Sequence, residues 1–360
     1  MENSKNVNHY LFGNGSLHHL DMLIDKRQGA FPGYGVFFVD HFFVDSPALT
    51  NVPVGDEDLL FYVPTVDEPT TEHINSLYHQ IRAIKKDLLP TVVVGMGGGI
   101  TLDTAKAISN LLTNGGKAED YQGWDLVRVA GVYKIGIPTI SGTGAETSRT
   151  CVMVNKAKNL KLGMNSEHTI YDQLILDPEL PKTVPAAQYF YTGLDTYIHC
   201  IESLGGRYRH PVGDAFSHQA LSLSRQIFLS DDMQSEANRE KLMVASYLGG
   251  CAIANSFVGL IHPLSAGLST VLGIHHCTGN CLVMNAMEEF YPKETEEFHV
   301  FLEKQKVTLP RNVTAGLSEE DFERLFDSTI IHQKPLTNAL GEDFGSILTK
   351  EKVRQIFERI

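Results

Sequence analysis

Positive charge is scarce in this sequence of 360 residues, where 30 Lys and Arg stand against 43 Asp and Glu for a formal net charge of -13. Such a surface repels a phosphate backbone, and no Lys/Arg stripe interleaved with aromatics offsets the repulsion, so nucleic acid is excluded as a partner. An apolar amino-terminal stretch is also missing. Met1 to Tyr10 is polar and holds one Lys, which does not fit a secretory signal and gives the expectation of a cytoplasmic protein. Cysteine is sparse as well, and five at irregular spacing fit reduced thiols better than a disulfide framework. His275, His276, Cys277 and Cys281 are close enough to suggest a small zinc site, but no second Cys/His pair completes a cage. Packed thiols on a helix beginning near Thr278 are therefore expected.

The longest absence is of charge itself: Leu242 to Met287 contains no Asp, Glu, Lys or Arg, and Met243 to Ile261 is long enough to span a bilayer. Ser246, Gly249, Gly250, Asn255 and Ser256 interrupt it, and it ends on a histidine instead of an interfacial belt. A helix buried on all sides in a large domain is the expectation, with no membrane partner.

What is present describes a globular chain of two domains. Apolar residues make up 42% and charged residues 20%, enough core for a length at which single cores stop growing. Val36 to Val39 reads as a buried strand ending at Asp40. Ile74, Leu77, Tyr78, Ile81, Ile84 and Leu88 follow at helical spacing, and Thr91 to Val94 is a strand running into Gly95, Gly97, Gly98 and Gly99. A helix over Thr101 to Leu112 and an apolar run over Val132 to Ile137 complete the order of a doubly wound parallel sheet. Pro178, Pro181 and Pro185 punctuate the chain, and helical patterns dominate downstream. The expected fold is α/β followed by all-α: a dinucleotide-binding parallel-sheet domain over residues 1–178, then a helical metal- and substrate-binding domain over 179–360.

Four features carry chemistry. Gly97, Gly98 and Gly99 between a strand and a helix offer bare amides and a helix amino terminus to a pyrophosphate, although a turn glycine-rich for close packing alone reads the same way. Asp40 at the end of its strand can accept from both adenosine ribose hydroxyls and would repel a 2'-phosphate, favouring NAD over NADP; a solvated turn Asp is the alternative. The loop holding Thr139, Ser141 and Thr143 is dense in hydroxyls and can line the nicotinamide side of a crevice. Asp195 and His199, four apart, share one helix face, while His262 and His276 lie in the charge-free segment, where buried imidazoles need partners. A divalent ion held by all four would satisfy them, and Fe(II) and Zn(II) suit that donor set equally.

With these residues assembled, the chain resembles the iron-containing, or group III, alcohol dehydrogenases over nearly its whole length. Phe12-Gly13-Asn14-Gly15 is similar to the family's opening turn. Gly97 to Lys106 is similar to its GGGS-x-x-D-x-x-K motif, which adds Asp103 to the cofactor-binding residues, and Pro138 to Glu146 is similar to its PTTAGTGSE loop. Gly193-Leu194-Asp195 with His199, Gly259 to His262, and His276 reproduce the order and spacing of its four metal ligands. The chain departs at Ala266, where the family usually has a proton-moving histidine, and His275 is the substitute candidate as a catalytic residue. Within the family the chain looks most like the bacterial enzymes that oxidise C8 of 3-deoxy-manno-octulosonate for lipopolysaccharide synthesis. Arg207 and Arg209 fit that resemblance as a fork for a sugar-acid carboxylate, with an exposed basic loop as the alternative.

The resemblance implies an NAD- and metal-dependent oxidoreductase acting on a hydroxyl of a small polar substrate, and it allows a homodimer. An NAD- and zinc-using lyase of the dehydroquinate synthase type, a non-catalytic metabolite-binding protein and an oxygen-consuming oxidase are the rivals.

Overall fold

The computed structural model describes residues 4–360, so Met1 to Asn3 of the polar amino terminus lie outside the described residues. The first part of the chain lays down β1 (His9–Phe12), α1 (Leu20–Ala30), β2 (Gly35–Asp40), β3 (Leu59–Val63), α2 (Thr71–Lys85), β4 (Val92–Gly97), α3 (Gly99–Asn114), β5 (Gly123–Trp124), β6 (Lys134–Pro138), β7 (Thr150–Asn155), β8 (Leu160–Asn165) and β9 (Gln173–Leu176). Parallel pairing joins six strands in the order β1-β9-β6-β4-β2-β3. The uninterrupted apolar runs of β2 and β4 have their cause here, because both faces of this sheet are covered. Val36, Phe38 and Val93 pack with Ile74, Leu77 and Ile81 of α2 and Ile108 and Leu111 of α3. Phe37, Val39, Val92 and Val94 point the other way, onto Leu20 and Ile24 of α1.

Gly95 lets α3 lie close on the sheet, since a Cβ there would stand 2.8 Å from both Ala105 Cβ and Tyr171 Oη. A second sheet, in the order β5-β8-β7, is not among the sequence expectations. β5 has only two residues, and Lys161 and Gly163 interrupt the apolar residues of β8.

The remainder is helical: α4 (Ala186–Gly205), α5 (Pro211–Phe228), α6 (Glu236–Ser256), α7 (Ile261–Leu272) and α8 (His276–Met284), with further helices to Phe357. Phe190, Leu194, Tyr197 and Ile198 of α4 share one core with Leu221 and Phe228 of α5, Leu264 of α7 and Leu282 of α8. The charge-free stretch runs through α6, α7 and α8, and α6 and α7 meet at 103°. Asn338 accounts for the break: its Nδ2 donates to the carbonyls of Ser256 at 2.9 Å and Val258 at 3.0 Å, ending α6 at Phe257 with φ of 63°. Among the described residues no single helix is long and apolar enough to cross a membrane.

The chain divides into two compact units between Thr183 and Val184, with Asn159–Lys161 belonging to the second, whereas the proline-rich segment places the boundary at 178. The first unit closes on Asp177, a buried carboxylate just past β9. It accepts from Gly15 N at 3.0 Å, Leu17 N at 3.1 Å and Glu179 N at 3.1 Å, tying the amino-terminal turn to the last strand. Replacing Asp177 with Ala strands these amides and is expected to cost about 2 to 4 kcal/mol. Amide hydrogen exchange at Gly15 and Leu17 checks it: protection there should fall steeply, and unchanged protection would mean the carboxylate is not the tie.

Candidate metal centre and cofactor cradle

Asp195, His199 and Glu202 recur at intervals of four and three along α4, so they form one stripe, and none is more than 2% exposed. His262 follows at the start of α7, and His276 opens α8. These elements bring three imidazoles onto one carboxylate. Asp195 Oδ1 lies 3.5 Å from His199 Nε2 and 3.3 Å from His262 Nε2, and its Oδ2 lies 3.7 Å from His276 Nε2. Ligand atoms of Asp195, His262 and His276 all fall within 4.8 Å of one another. The His199 ring stacks on His262 with centroids 4.8 Å apart.

The electrostatics suit a cation. Burial works against charge on Asp195, but His199, His276 and His262 outweigh it and hold the carboxyl well below the usual carboxylate range. Burial pushes His199 down to about 4, leaving a neutral imidazole with a lone pair to give. A fully buried carboxylate ringed by imidazole nitrogens is a donor set that a divalent ion satisfies, and one oxygen with three nitrogens fits Fe(II) or Zn(II).

Sequence reasoning passes over two members of this cluster. Glu202 accepts from His262 Nδ1 and from the Ile261 amide in a pair of short bonds. Asn280 Nδ2 donates to Asp195 Oδ1 at 2.7 Å and lies 3.3 Å from His262 Nε2 and 3.2 Å from His276 Nε2. Helical spacing is the available signal, since Glu202 lies seven residues after Asp195 and Asn280 four after His276. Cys277 and Cys281 are buried free thiols, and Cys277 Sγ lies 3.5 Å from Asp195 Oδ2.

The remaining candidates of this unit are placed differently. His275 is exposed where α8 begins, and Ala266 is buried on α7, one turn beyond His262. Arg207 and Arg209 follow the carboxyl end of α4, separated from Asp195 by roughly 15 Å of helix at about 1.5 Å per residue. Arg209 is engaged with Asp214 at 2.8 Å and the Leu204 carbonyl at 2.8 Å, and the Arg207 guanidinium packs so close to Gly341 that a Cβ there would meet it at 2.3 Å. Of the two arginines expected to form a fork, Arg209 thus has Asp214 as a carboxylate partner, and both lie beyond the carboxyl end of α4.

In the first unit the cofactor candidates gather at the carboxyl ends of adjacent strands β2, β4 and β6, where doubly wound sheets bind ligands. Gly97 has no room for a side chain, because a Cβ would meet Thr101 at 2.6 Å and Asp40 Cβ at 3.0 Å. Gly98 serves as N-cap of α3, and Gly99 lies against Thr143. Thr139 N donates to the Gly97 carbonyl at 3.1 Å, joining the hydroxyl loop to the glycine turn. Ser141 Oγ is buried and meets no partner among the described residues, a hydroxyl that a bound nicotinamide or ribose would satisfy. Asp40 Oδ1 accepts from Phe42 N at 3.0 Å and Thr65 Oγ1 at 3.3 Å, which fixes the carboxylate at the strand end. Asp103 instead accepts from Val152 N at 2.9 Å, and buried Lys106 donates to the carbonyls of Ser148 at 3.0 Å and Thr150 at 2.8 Å. The contacts these two make hold α3 against β7.

Comparison with known proteins points to one family. A family profile described as iron-containing alcohol dehydrogenase matches residues 8–178, and one for the carboxyl-terminal part of the same family matches 189–306. A sulfoacetaldehyde reductase of Bilophila wadsworthia is 33% identical over 237 residues, covering 65% of this chain and 60% of that protein. An NAD-dependent methanol dehydrogenase of Bacillus methanolicus is 35% identical over 196 residues, covering 54% of this chain and 51% of that protein. The chain thus spans about half to three fifths of the length of these two relatives. Among solved structures, the sulfoacetaldehyde reductase from Bifidobacterium kashiwanohense in complex with NAD+ superposes with a TM-score of 0.79 at 22% identity, covering 99% of this chain and 98% of that one, a likeness of fold. The parallel-sheet unit, the helical unit and the two profile matches in register with them lead to one conclusion: the chain belongs to the iron-containing alcohol dehydrogenase family.

Proposed function

We propose that this protein interconverts a hydroxyl and a carbonyl on a small polar substrate, using NAD and one divalent metal ion, Fe(II) or Zn(II). The observation that carries the reading is the convergence of Asp195, His262 and His276, with His199 stacked beside them. The names of the relatives, a sulfoacetaldehyde reductase and a methanol dehydrogenase, support the same reaction class. When bound, the ion supplies Lewis acidity to a substrate oxygen and the nicotinamide exchanges hydride.

The chain's own residues do the rest. Asp195 gives the anionic ligand, and the imidazoles of His199, His262 and His276 complete the set, each a neutral nitrogen donor once the ion takes the place of a proton. The glycine turn and the amino terminus of α3 receive the pyrophosphate, and Asp40 accepts from the adenosine ribose. Ala266 cannot move a proton. His275, adjacent to His276 and exposed to solvent, takes that role in this proposal. A lyase of the dehydroquinate synthase type is not favoured, because both profile matches belong to alcohol dehydrogenases.

The finer reading, oxidation of C8 of 3-deoxy-manno-octulosonate, now rests on overall sequence resemblance alone, since Arg209 is occupied by Asp214. NADH formation over a panel of that sugar acid, neutral diols and small alcohols, with each metal added to metal-free protein, tests both levels. Turnover of neutral alcohols with none of the sugar acid would remove the finer reading. NAD bound without turnover of any substrate would leave a metabolite-binding protein.

Two variants test the sites separately. His262→Ala is expected to lose at least about nine tenths of its bound metal along with activity while the fold persists, because one donor and its hydrogen-bonded carboxylate are uncoupled together. Elemental analysis decides it, and full metal content would take His262 out of the ligand set. For the cofactor, NAD should bind at least roughly tenfold more tightly than NADP, about 1.4 kcal/mol, with Asp40→Ala narrowing the gap. Titration with both nucleotides reads this out, and equal affinities in the unaltered protein would contradict the role of Asp40.

A further inference from the structure

Glu202 is a fully buried carboxylate in the helical unit, and no step of the proposed chemistry uses it. Its two oxygens are both engaged, Oε1 by the Ile261 amide in the first turn of α7 and Oε2 by His262 Nδ1. An ionised carboxylate only accepts, so the His262 nitrogen facing it must carry the proton. Nε2 also faces a carboxylate, Asp195 Oδ1 at 3.3 Å, and it is the nitrogen whose lone pair a divalent ion would take in place of a proton. Gly259 leaves room beside Glu202, since a Cβ there would stand a tight 3.2 Å from the Glu202 Cβ.

We infer that Glu202 is a positioning residue that fixes the tautomer and ring orientation of His262, so that Nε2 is presented to the metal as a ready donor. The inference rests on the proposed metal site and extends it outward by one layer. It also supplies a charge argument. Asp195 and Glu202 are two buried carboxylates in the same cluster, and with neutral imidazoles a divalent ion brings the group to neutrality.

Glu202→Gln is the discriminating variant. The amide keeps the shape and can still accept from Ile261 N through its oxygen, but it then turns a donor toward His262 Nδ1. That reverses the preferred tautomer and places a proton on Nε2. Zn(II) affinity of metal-free protein, measured in chelator-buffered dialysis, should fall roughly tenfold to hundredfold in Glu202→Gln. Glu202→Asp, which keeps the acceptor but shortens its reach, should recover part of the loss. The visible spectrum of the Co(II)-loaded protein should shift in Glu202→Gln as well. Equal affinity and an unchanged spectrum would overturn the inference while leaving the metal site intact. No Zn(II) binding by the unaltered protein would overturn the metal reading and this inference with it. If Glu202→Gln fails to fold, the 15N spectrum of the unaltered Zn(II)-loaded protein decides: a protonated His262 Nδ1 supports the role, and an unprotonated one rules it out.

Discussion

The helical unit is organised around a negative charge that water does not reach. Asp195 is fully buried at the middle of α4, and withdrawing a carboxylate from water costs several kcal/mol even after the surroundings relax. Compensation must come from groups in contact, which His199 one turn along α4 supplies together with His262 and His276 at the beginnings of α7 and α8. Other features of the unit follow from that requirement. Asn338 stops α6 so that α7 can start with Ile261 and His262 at Glu202, and Gly279 lets α8 approach Ser265 of α7, where a Cβ would stand 2.7 Å from the hydroxyl.

The parallel-sheet unit obeys a different constraint, the close approach of backbone and side chains at the ends of its strands. Covering both faces of the sheet with helices leaves the strand ends as the accessible polar rim, and Asp40, Gly97 and Pro138 end three adjacent strands. Gly97 is fixed by steric need, between Thr101 and Asp40, and the buried Lys106 and Asp103 brace the helix that follows. The motif that reads as one phosphate signature in the sequence thus divides into a glycine turn and the side chains that brace the helix after it.

Legibility from the sequence follows periodicity and spacing. The buried strands are visible because doubly covered strands read as unbroken apolar runs, and Asp195 with His199 is visible as an interval of four. Glu202 sits at the next interval of the same stripe, but acidic residues on helices ordinarily face solvent, so nothing local marks it as buried. Asn280 is a neutral amide whose role arises only when α8 folds back onto α4. The second sheet escapes a reading by pattern because β5 has only two residues and pairs with a distant strand, as between Gly123 and Met164. The arginines show the opposite limit: their charge is evident in the sequence, while the Asp214 that engages Arg209 lies a turn into the next helix.

The central claim is that one divalent ion is held by Asp195 together with His199, His262 and His276. Anomalous diffraction from crystals of the metal-loaded protein, recorded on either side of the iron and zinc absorption edges, tests it most directly. The account predicts a single strong peak among the Nε2 atoms of the three histidines and the Asp195 carboxylate. A peak at the Cys277 and Cys281 thiols instead, or none in fully loaded protein, would contradict it.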